Sequence, residues 1–188
     1  TDQTSVVYVS PLKALSNDIH HNLESPLAEL SEMAAAAGMD LPSVRVATRT
    51  GDTSAWEREQ MVRRPPHVLV TTPESLFILV TAERSRRRLS MVETIIVDEI
   101  HALVDDKRGS HLALTLARLD DLVARDGREK PQRIGLSATV NPIDEVARFL
   151  SGSKRKSIGT GRVRPSIAIV NAGHRRPLDV AIEVPKEE

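Results

Sequence analysis

Short apolar runs rich in Val, Ile and Thr recur along the chain at SVVYVS (5–10), VRVAT (44–48), HVLVTT (67–72), TIIVDE (94–99) and RIGLSAT (133–139). Each is bounded by turn or polar residues and followed by a helical pattern, which predicts fully buried parallel strands alternating with helices. In the first helical stretch Leu12, Leu15, Ile19, Leu23, Leu27 and Leu30 recur at helical spacing, Pro26 forces a kink or a break, and Gly38 supplies a carboxyl cap. Ser54 and Glu57 have capping-box spacing for the next helix, and Pro73 fits the first turn of SLFILVTAE. HLALTLARLDDLVARDG is the longest clean amphipathic pattern, closed by Gly127. Asn141 and Pro142 form an N-cap and first-turn pair for a last helix that Gly152 ends.

Strand alternating with helix predicts an open α/β domain, a parallel sheet with helices on both faces, in which ligands gather at the carboxyl ends of the strands. After the basic, glycine-containing loop SGSKRKSIGTGRVRP two further strand-like runs follow, SIAIVNAG and LDVAIEVP, joined by the linker-like GHRRP. No internal repeat is visible.

Composition adjusts this picture little. The 188 residues suit one main domain; 40% are hydrophobic and 28% charged, and no apolar run approaches the roughly 18 residues of a membrane span. Without cysteine there is neither a disulfide framework nor a thiolate metal site, and without a basic-then-apolar leader the expected home is intracellular, in the cytoplasm, away from membranes. Net charge is zero, so only local clusters can argue for a nucleic-acid partner, and with aromatics at 2% stacking platforms are few.

The chemistry sits at the ends of the apolar runs. In TIIVDEIHAL, Asp98 and Glu99 fall where a buried strand emerges at the ligand edge of the sheet. In phosphoryl transfer an acid in that position holds Mg²⁺, and a neighbouring carboxylate positions or deprotonates the attacking water. The bland alternative is an acidic helix start beside a chance histidine. GLSAT ends another strand in hydroxyls, which taken alone more often cap helices.

Taken together, DEIH and SAT, preceded by SPLKAL and TTPES in that order, resemble the first RecA-like motor domain of a superfamily 2 helicase. TGD, the ESL after TTP, KRGSHLAL and NAGHRRPLD make it more narrowly similar to the Lhr, or large helicase-related, family. The resemblance implies a DEAD/DEAH-type box at 98–101, with Asp98 holding Mg²⁺ through water, Glu99 acting on water, and His101 hydrogen-bonding across neighbouring strand ends to the Ser137–Thr139 motif that couples nucleotide state to strand grip. It implies a nucleic-acid track through Ser10 and Lys13 of SPLKAL, Arg49, Thr50 and Gly51 of RTGD, and Thr71 and Thr72 of TTPES. ATP and Mg²⁺ are the implied cofactors. Single-stranded DNA or a DNA/RNA hybrid, and the rest of the helicase chain, are the implied partners. Lhr relatives are ATP-dependent 3′-to-5′ translocases linked to DNA repair, coupling hydrolysis to strand movement and unwinding.

No G-x-x-x-x-G-K-[ST] loop occurs in the chain. The expected organisation is therefore residues 1–172 as a first RecA-like domain without its amino-terminal phosphate-loop part, and 173–188 as linker and start of a second, so that this piece alone does not turn over ATP. A non-catalytic, helicase-like nucleic-acid-binding module is the alternative. A serine hydrolase fits poorly, because GLSAT lacks the second glycine of a nucleophile elbow and the order Asp98, His101, Ser137 is wrong for that fold. A histidine metal centre lacks the i, i+4 pairing with glutamate. The basic runs RSRRR (84–88) and KRK (154–156) read as solvated faces before they read as phosphate contacts.

Overall fold

The computed structural model describes residues 3–40, 42–138, 142–152 and 167–170, the side chains of 13–17 and 19–21 excepted. Five short strands alternate with helices: β1 (Val6–Val9), α1 (Lys13–Ala36), β2 (Val46–Arg49), α2 (Ala55–Arg63), β3 (Val68–Thr71), α3 (Pro73–Thr81), α4 (Glu83–Leu89), β4 (Thr94–Val97), α5 (His101–Val104), α6 (Lys107–Arg125), β5 (Gln132–Gly135) and α7 (Ile143–Ser151). The strands form one parallel sheet in the order β2-β3-β1-β4-β5, with Val9 level with Thr71 and Val97, and Val97 level with Gly135.

Only the connection from β1 to β2 runs leftward in that order; the three others run rightward. Right-handed crossovers therefore put α1 on one face and α2, α3–α4 and α5–α6 on the other. The second face carries the core. Val7, Val9, Leu69, Ile95 and Val97 meet Leu76 of α3 and Leu112, Leu116, Leu119 and Val123 of α6, spaced one turn apart and all buried. Each such leucine stabilises the fold by about 1.5–3 kcal/mol.

The expected full burial of the strands holds only on that face. Burial alternates along β1 and β4, while β2 stays half-buried and the two ends of β5 are exposed. The reason is that α1 packs on β2 and β3, leaving Val6, Tyr8, Thr94 and Ile96 half-covered. Its own stripe is correspondingly wet: Leu12, which precedes the helix as its N-cap, and Leu30 are each 55% exposed. Pro26 lies inside α1 and does not end it.

Local signals otherwise place the boundaries well. Ser54 and Glu57 form the reciprocal capping box of α2, Thr72 caps α3 ahead of Pro73, and Gly38, Gly127 and Gly152 follow α1, α6 and α7 with φ of 71°, 73° and 63°. The last helix starts at Ile143 with Pro142 as its cap; Asn141 lies outside the described residues. Residues 167–170 have no regular structure, and LDVAIEVP and the 172/173 boundary lie outside the described residues. Among the described residues no helix is long and apolar enough to cross a membrane.

Candidate active site

The β-branched run Thr94–Val97 carries the chain through the sheet, and the Asp98 amide extends the ladder by donating to the Val9 carbonyl at 2.8 Å. Glu99 then turns out of the strand with φ of 45°, the one non-glycine residue with positive φ among the described residues. That conformation costs about 1–3 kcal/mol and persists only where neighbours over-determine it. Here they do: the Glu99 amide donates to Asp98 Oδ1 at 2.9 Å, the Ala102 amide to the Glu99 carbonyl at 2.9 Å, and the Ile100 amide to the Leu136 carbonyl at 3.0 Å.

This turn brings Glu99 back over the end of β5. His101 Nδ1 lies 3.3 Å from Glu99 Oε2 and 3.2 Å from Ser137 Oγ, so the expected contact between DEIH and SAT is present and passes through one imidazole. Glu99 keeps 41% of its side chain in solvent, where it can reach a water. Beside it Gly135 leaves room for two core side chains, since a Cβ there would stand 2.9 Å from Leu150 Cδ2 and 3.3 Å from Ile100 Cδ1. Thr139 lies outside the described residues.

Tyr8 was not legible as a site residue. Burial first, then the interaction with the Asp98 carboxylate and the charge of Glu99, push its phenol well above its ordinary range. It stays protonated and a donor. Its signal in the sequence is slight, a lone tyrosine in an apolar strand. Asp98 and Glu99 offer hard oxygen donors, and no group of three or more His, Cys, Asp or Glu that could by itself hold a metal ion occurs among the described residues. That fits Mg²⁺, which keeps several waters and takes one or two carboxylates plus substrate phosphates.

The nucleic-acid candidates stand at the neighbouring strand ends. The Ser10 amide donates to the Thr71 carbonyl at 2.9 Å and Thr71 Oγ1 to the Arg49 carbonyl at 2.7 Å, so SPLKAL, TTPES and RTGD are stitched together beside DEIH. Thr71 and Thr72 are buried, and Thr72 Oγ1 accepts from the Ser75 amide at 3.3 Å as the cap of α3. Thr50 is buried, its amide donating to Thr53 Oγ1 at 2.9 Å, while Gly51 is exposed. The Lys13 side chain lies outside the described residues.

Arg108, also missed, ties two of these loops to α6: Nε donates to Glu74 Oε1 at 2.7 Å and Nη2 to the Pro11 carbonyl at 2.8 Å. Burial alone would raise the Glu74 carboxyl, but the hydrogen bond and charge of Arg108 outweigh it and hold it below the ordinary range. A lowered folded pKa contributes stability above the unfolded value and loses it as pH falls through the folded one. Arg108→Ala is therefore expected to cost about 0.5–1 kcal/mol near neutrality, discounted for exposure. The gap to wild type should narrow in acid, as measured by denaturant unfolding at both pH values. A gap that is the same at both would separate the residue's effect from its ion pair.

A parallel sheet of this order, with an acidic box after β4 and Ser–Ala–Thr after the adjacent β5, is the arrangement of a RecA-like helicase domain. The chain belongs to the DEAD/DEAH box helicase family, whose profile matches residues 1–148. Along 97% of its length it is 53% identical to the ATP-dependent helicase Lhr-Core protein 2 of Thermococcus barophilus, of which it spans 20%. It is 47% identical over 97% of its length to the Lhr helicase/probable uracil glycosylase of Mycolicibacterium smegmatis, of which it spans 11%. Among solved structures, that of the Mycobacterium smegmatis helicase Lhr bound to ssDNA and AMP-PNP superposes with a TM-score of 0.75 and 51% identity, over 80% of this chain and 19% of that one. The DEAD-box helicase Mss116 bound to ssRNA and UDP-BeF shares the fold, with a TM-score of 0.64 at 16% identity over 81% of this chain and 29% of that one.

Proposed function

We propose that residues 1–172 are the first RecA-like domain, without its phosphate-loop part, of an Lhr-type ATP-dependent superfamily 2 helicase, and that 173–188 lead into a second such domain. The whole protein, in this reading, is a cytoplasmic enzyme that hydrolyses ATP to move 3′-to-5′ along single-stranded DNA, opening duplex DNA or a DNA/RNA hybrid during repair. The observation that carries the reading is the imidazole of His101 set between Glu99 and Ser137 at adjacent strand ends. It joins a carboxylate suited to hydrolysis to the segment that continues from β5.

Each residue has a part in this account. Asp98, which accepts from the Glu99 amide, is placed to hold Mg²⁺ through water. The ion, when bound, offsets the charge of the phosphate oxygens. Glu99 orients the attacking water and accepts its proton. His101, Ser137 and Thr139 relay the state of that site to the strand-gripping loops. Ser10, Lys13, Arg49, Thr50, Gly51, Thr71 and Thr72 supply amides, hydroxyls and two cations along a backbone, a set that offers no base-reading pattern.

The full-length protein is expected to show ATPase stimulated by single strands and to unwind a duplex bearing a 3′ tail but not one bearing a 5′ tail. Absence of any ATPase would instead favour a non-catalytic binding module. Across a salt series, Lys13→Ala and Arg49→Ala are each expected to shallow the dependence of strand affinity by about one phosphate. Thr72→Ala is expected to weaken binding through its cap, leaving the salt slope alone. Unchanged affinity and slope in both cation variants would place the track elsewhere.

A further inference from the structure

A groove of about 200 Å³ opens between α2 and the α3–α4 pair, with Arg49 at the end of β2 among its lining residues. Its floor is aliphatic, built from Met61, Val62, Leu69, Leu79 and Leu89, and Ile78 stands at its mouth with 54% of its surface exposed. Among the described residues four arginines line it, Arg49, Arg58, Arg84 and Arg88, and no carboxylate does. Arg84 and Arg88 are one turn apart on α4 and make no ion pair among the described residues, whereas Arg87 of the same helix pairs with Glu83. Among the described residues Arg49 and Arg58 donate to main-chain carbonyls alone, of Thr50 at 2.8 Å and Gly51 at 3.1 Å. Burial and the charge of Arg58 push the Arg49 guanidinium below its ordinary range, as expected for cations gathered without a counter-ion.

The groove runs toward the opposite edge of the sheet from DEIH and TTPES, since Thr4, Pro65 and Pro66, which precede β1 and β3, line it. Arg49 alone belongs also to the proposed strand track. The chemistry of the walls selects among anions. A nucleic-acid strand would use the arginines, through its phosphates or base edges, but it would leave the aliphatic floor without a partner. The lining has no aromatic ring, and its two hydroxyls already donate inward, Thr4 to the Pro66 carbonyl at 2.8 Å and Ser85 to the Leu79 carbonyl at 2.8 Å. An aliphatic floor with a cationic mouth suits an apolar side chain flanked by carboxylates.

We propose that the groove between α2 and α3–α4 is a docking site for an acidic protein segment that inserts an apolar side chain between Ile78, Leu79 and Met61, with Arg58, Arg84 and Arg88 meeting its carboxylates. The proposal stands independently of the helicase reading, because binding alone tests it. The probe is a short fluorescein-labelled peptide rich in aspartate and glutamate with one central leucine, titrated by anisotropy with the full-length protein at low salt. Saturable binding is expected, weakened about tenfold by combining Arg84→Glu with Arg88→Glu, and weakened likewise when serine replaces the peptide's leucine. The second arm needs no protein variant and so holds even if charge reversal perturbs folding. Three results would overturn the proposal: no saturable binding, equal affinity for the serine peptide, or indifference to the charge reversal in a protein with unchanged thermal unfolding. Displacement of the peptide by oligothymidylate, together with loss of oligothymidylate affinity in the double variant, would assign the groove to nucleic acid instead.

Discussion

Glu99→Gln in the full-length protein is expected to bind nucleotide and single strands as wild type does, yet to lose ATP turnover by about 10²–10⁴-fold, the range that a positioned proton acceptor contributes. The substitution keeps the size and the hydrogen-bonding reach of the side chain and removes its basicity. It also leaves the backbone of the turn alone, because the three bonds that hold residue 99 at φ of 45° use its own amide and carbonyl, the Asp98 side chain and the Leu136 carbonyl. The contact between His101 and Ser137, 3.2 Å here, does not itself use the Glu99 side chain, so grip on the strand should survive the loss of hydrolysis. Steady-state ATPase beside equilibrium binding of a non-hydrolysable nucleotide separates the two effects. ATPase within a few fold of wild type would remove Glu99 from the chemistry and leave its strained turn without a function.

What could be read from the chain and what could not divide along a physical line. Signals that act over a few residues were legible, because their cause is local: the apolar runs that make β1, β3 and β4, the Ser54–Glu57 box, Pro73 in a first turn, and the glycines that end α1, α6 and α7 in the left-handed region. The candidate acids and hydroxyls were legible for a similar reason, since Asp98 follows directly on the apolar strand β4 and Ser137 stands two residues after β5. The β4–β5 pairing with its bond from Ile100 to Leu136 then set their chains side by side.

Non-local facts were not legible. That β1 sits between β3 and β4 follows from how the crossovers pack, and it alone explains why Tyr8 reaches Asp98 across ninety positions of sequence. Arg108 is similar: nothing in KRGSH says that its guanidinium will span from Glu74 to the Pro11 carbonyl. The uneven burial of the strands was missed because an apolar run tells that a segment can be covered, whereas coverage depends on which helices land on each face. RSRRR read as a solvated face, and Arg84, Arg86 and Arg87 are exposed as that reading has it; that Arg84 and the half-buried Arg88 also line a cavity is something no pattern of charge reveals.

Gly109 supplies a case in which local and tertiary physics predict opposite signs. It lies in the first turn of α6, two residues past Lys107, and its φ is not in the left-handed region. Helix propensity alone would have Gly109→Ala stabilise the protein by up to about 1 kcal/mol. A Cβ at that position, however, would collide with the Leu103 carbonyl oxygen and stand 2.7 Å from its carbon, both backbone atoms with no rotamer to yield. To accept it α6 must move off the end of α5, disturbing the Asp106 cap, in which the Lys107 amide donates to Oδ1 at 2.6 Å and the Gly109 amide to the carbonyl at 3.0 Å. The neighbouring Arg108 would be carried away from Glu74 and Pro11, and Leu112, one turn on, would shift in the core. A cost of about 3 kcal/mol or more is expected, the size reserved for changes that displace packed backbone. For a domain of this length that is roughly a 6–12 °C fall in the melting temperature. Gly127→Ala is the control: its φ of 73° is unfavourable for alanine, but nothing stands within 4 Å of its Cβ, so about 1–2 kcal/mol is expected. Gly109→Ala should therefore be the more damaging of the two by thermal and denaturant unfolding, and a Gly109→Ala protein as stable as wild type would mean that α5 and α6 do not meet at the Leu103 carbonyl.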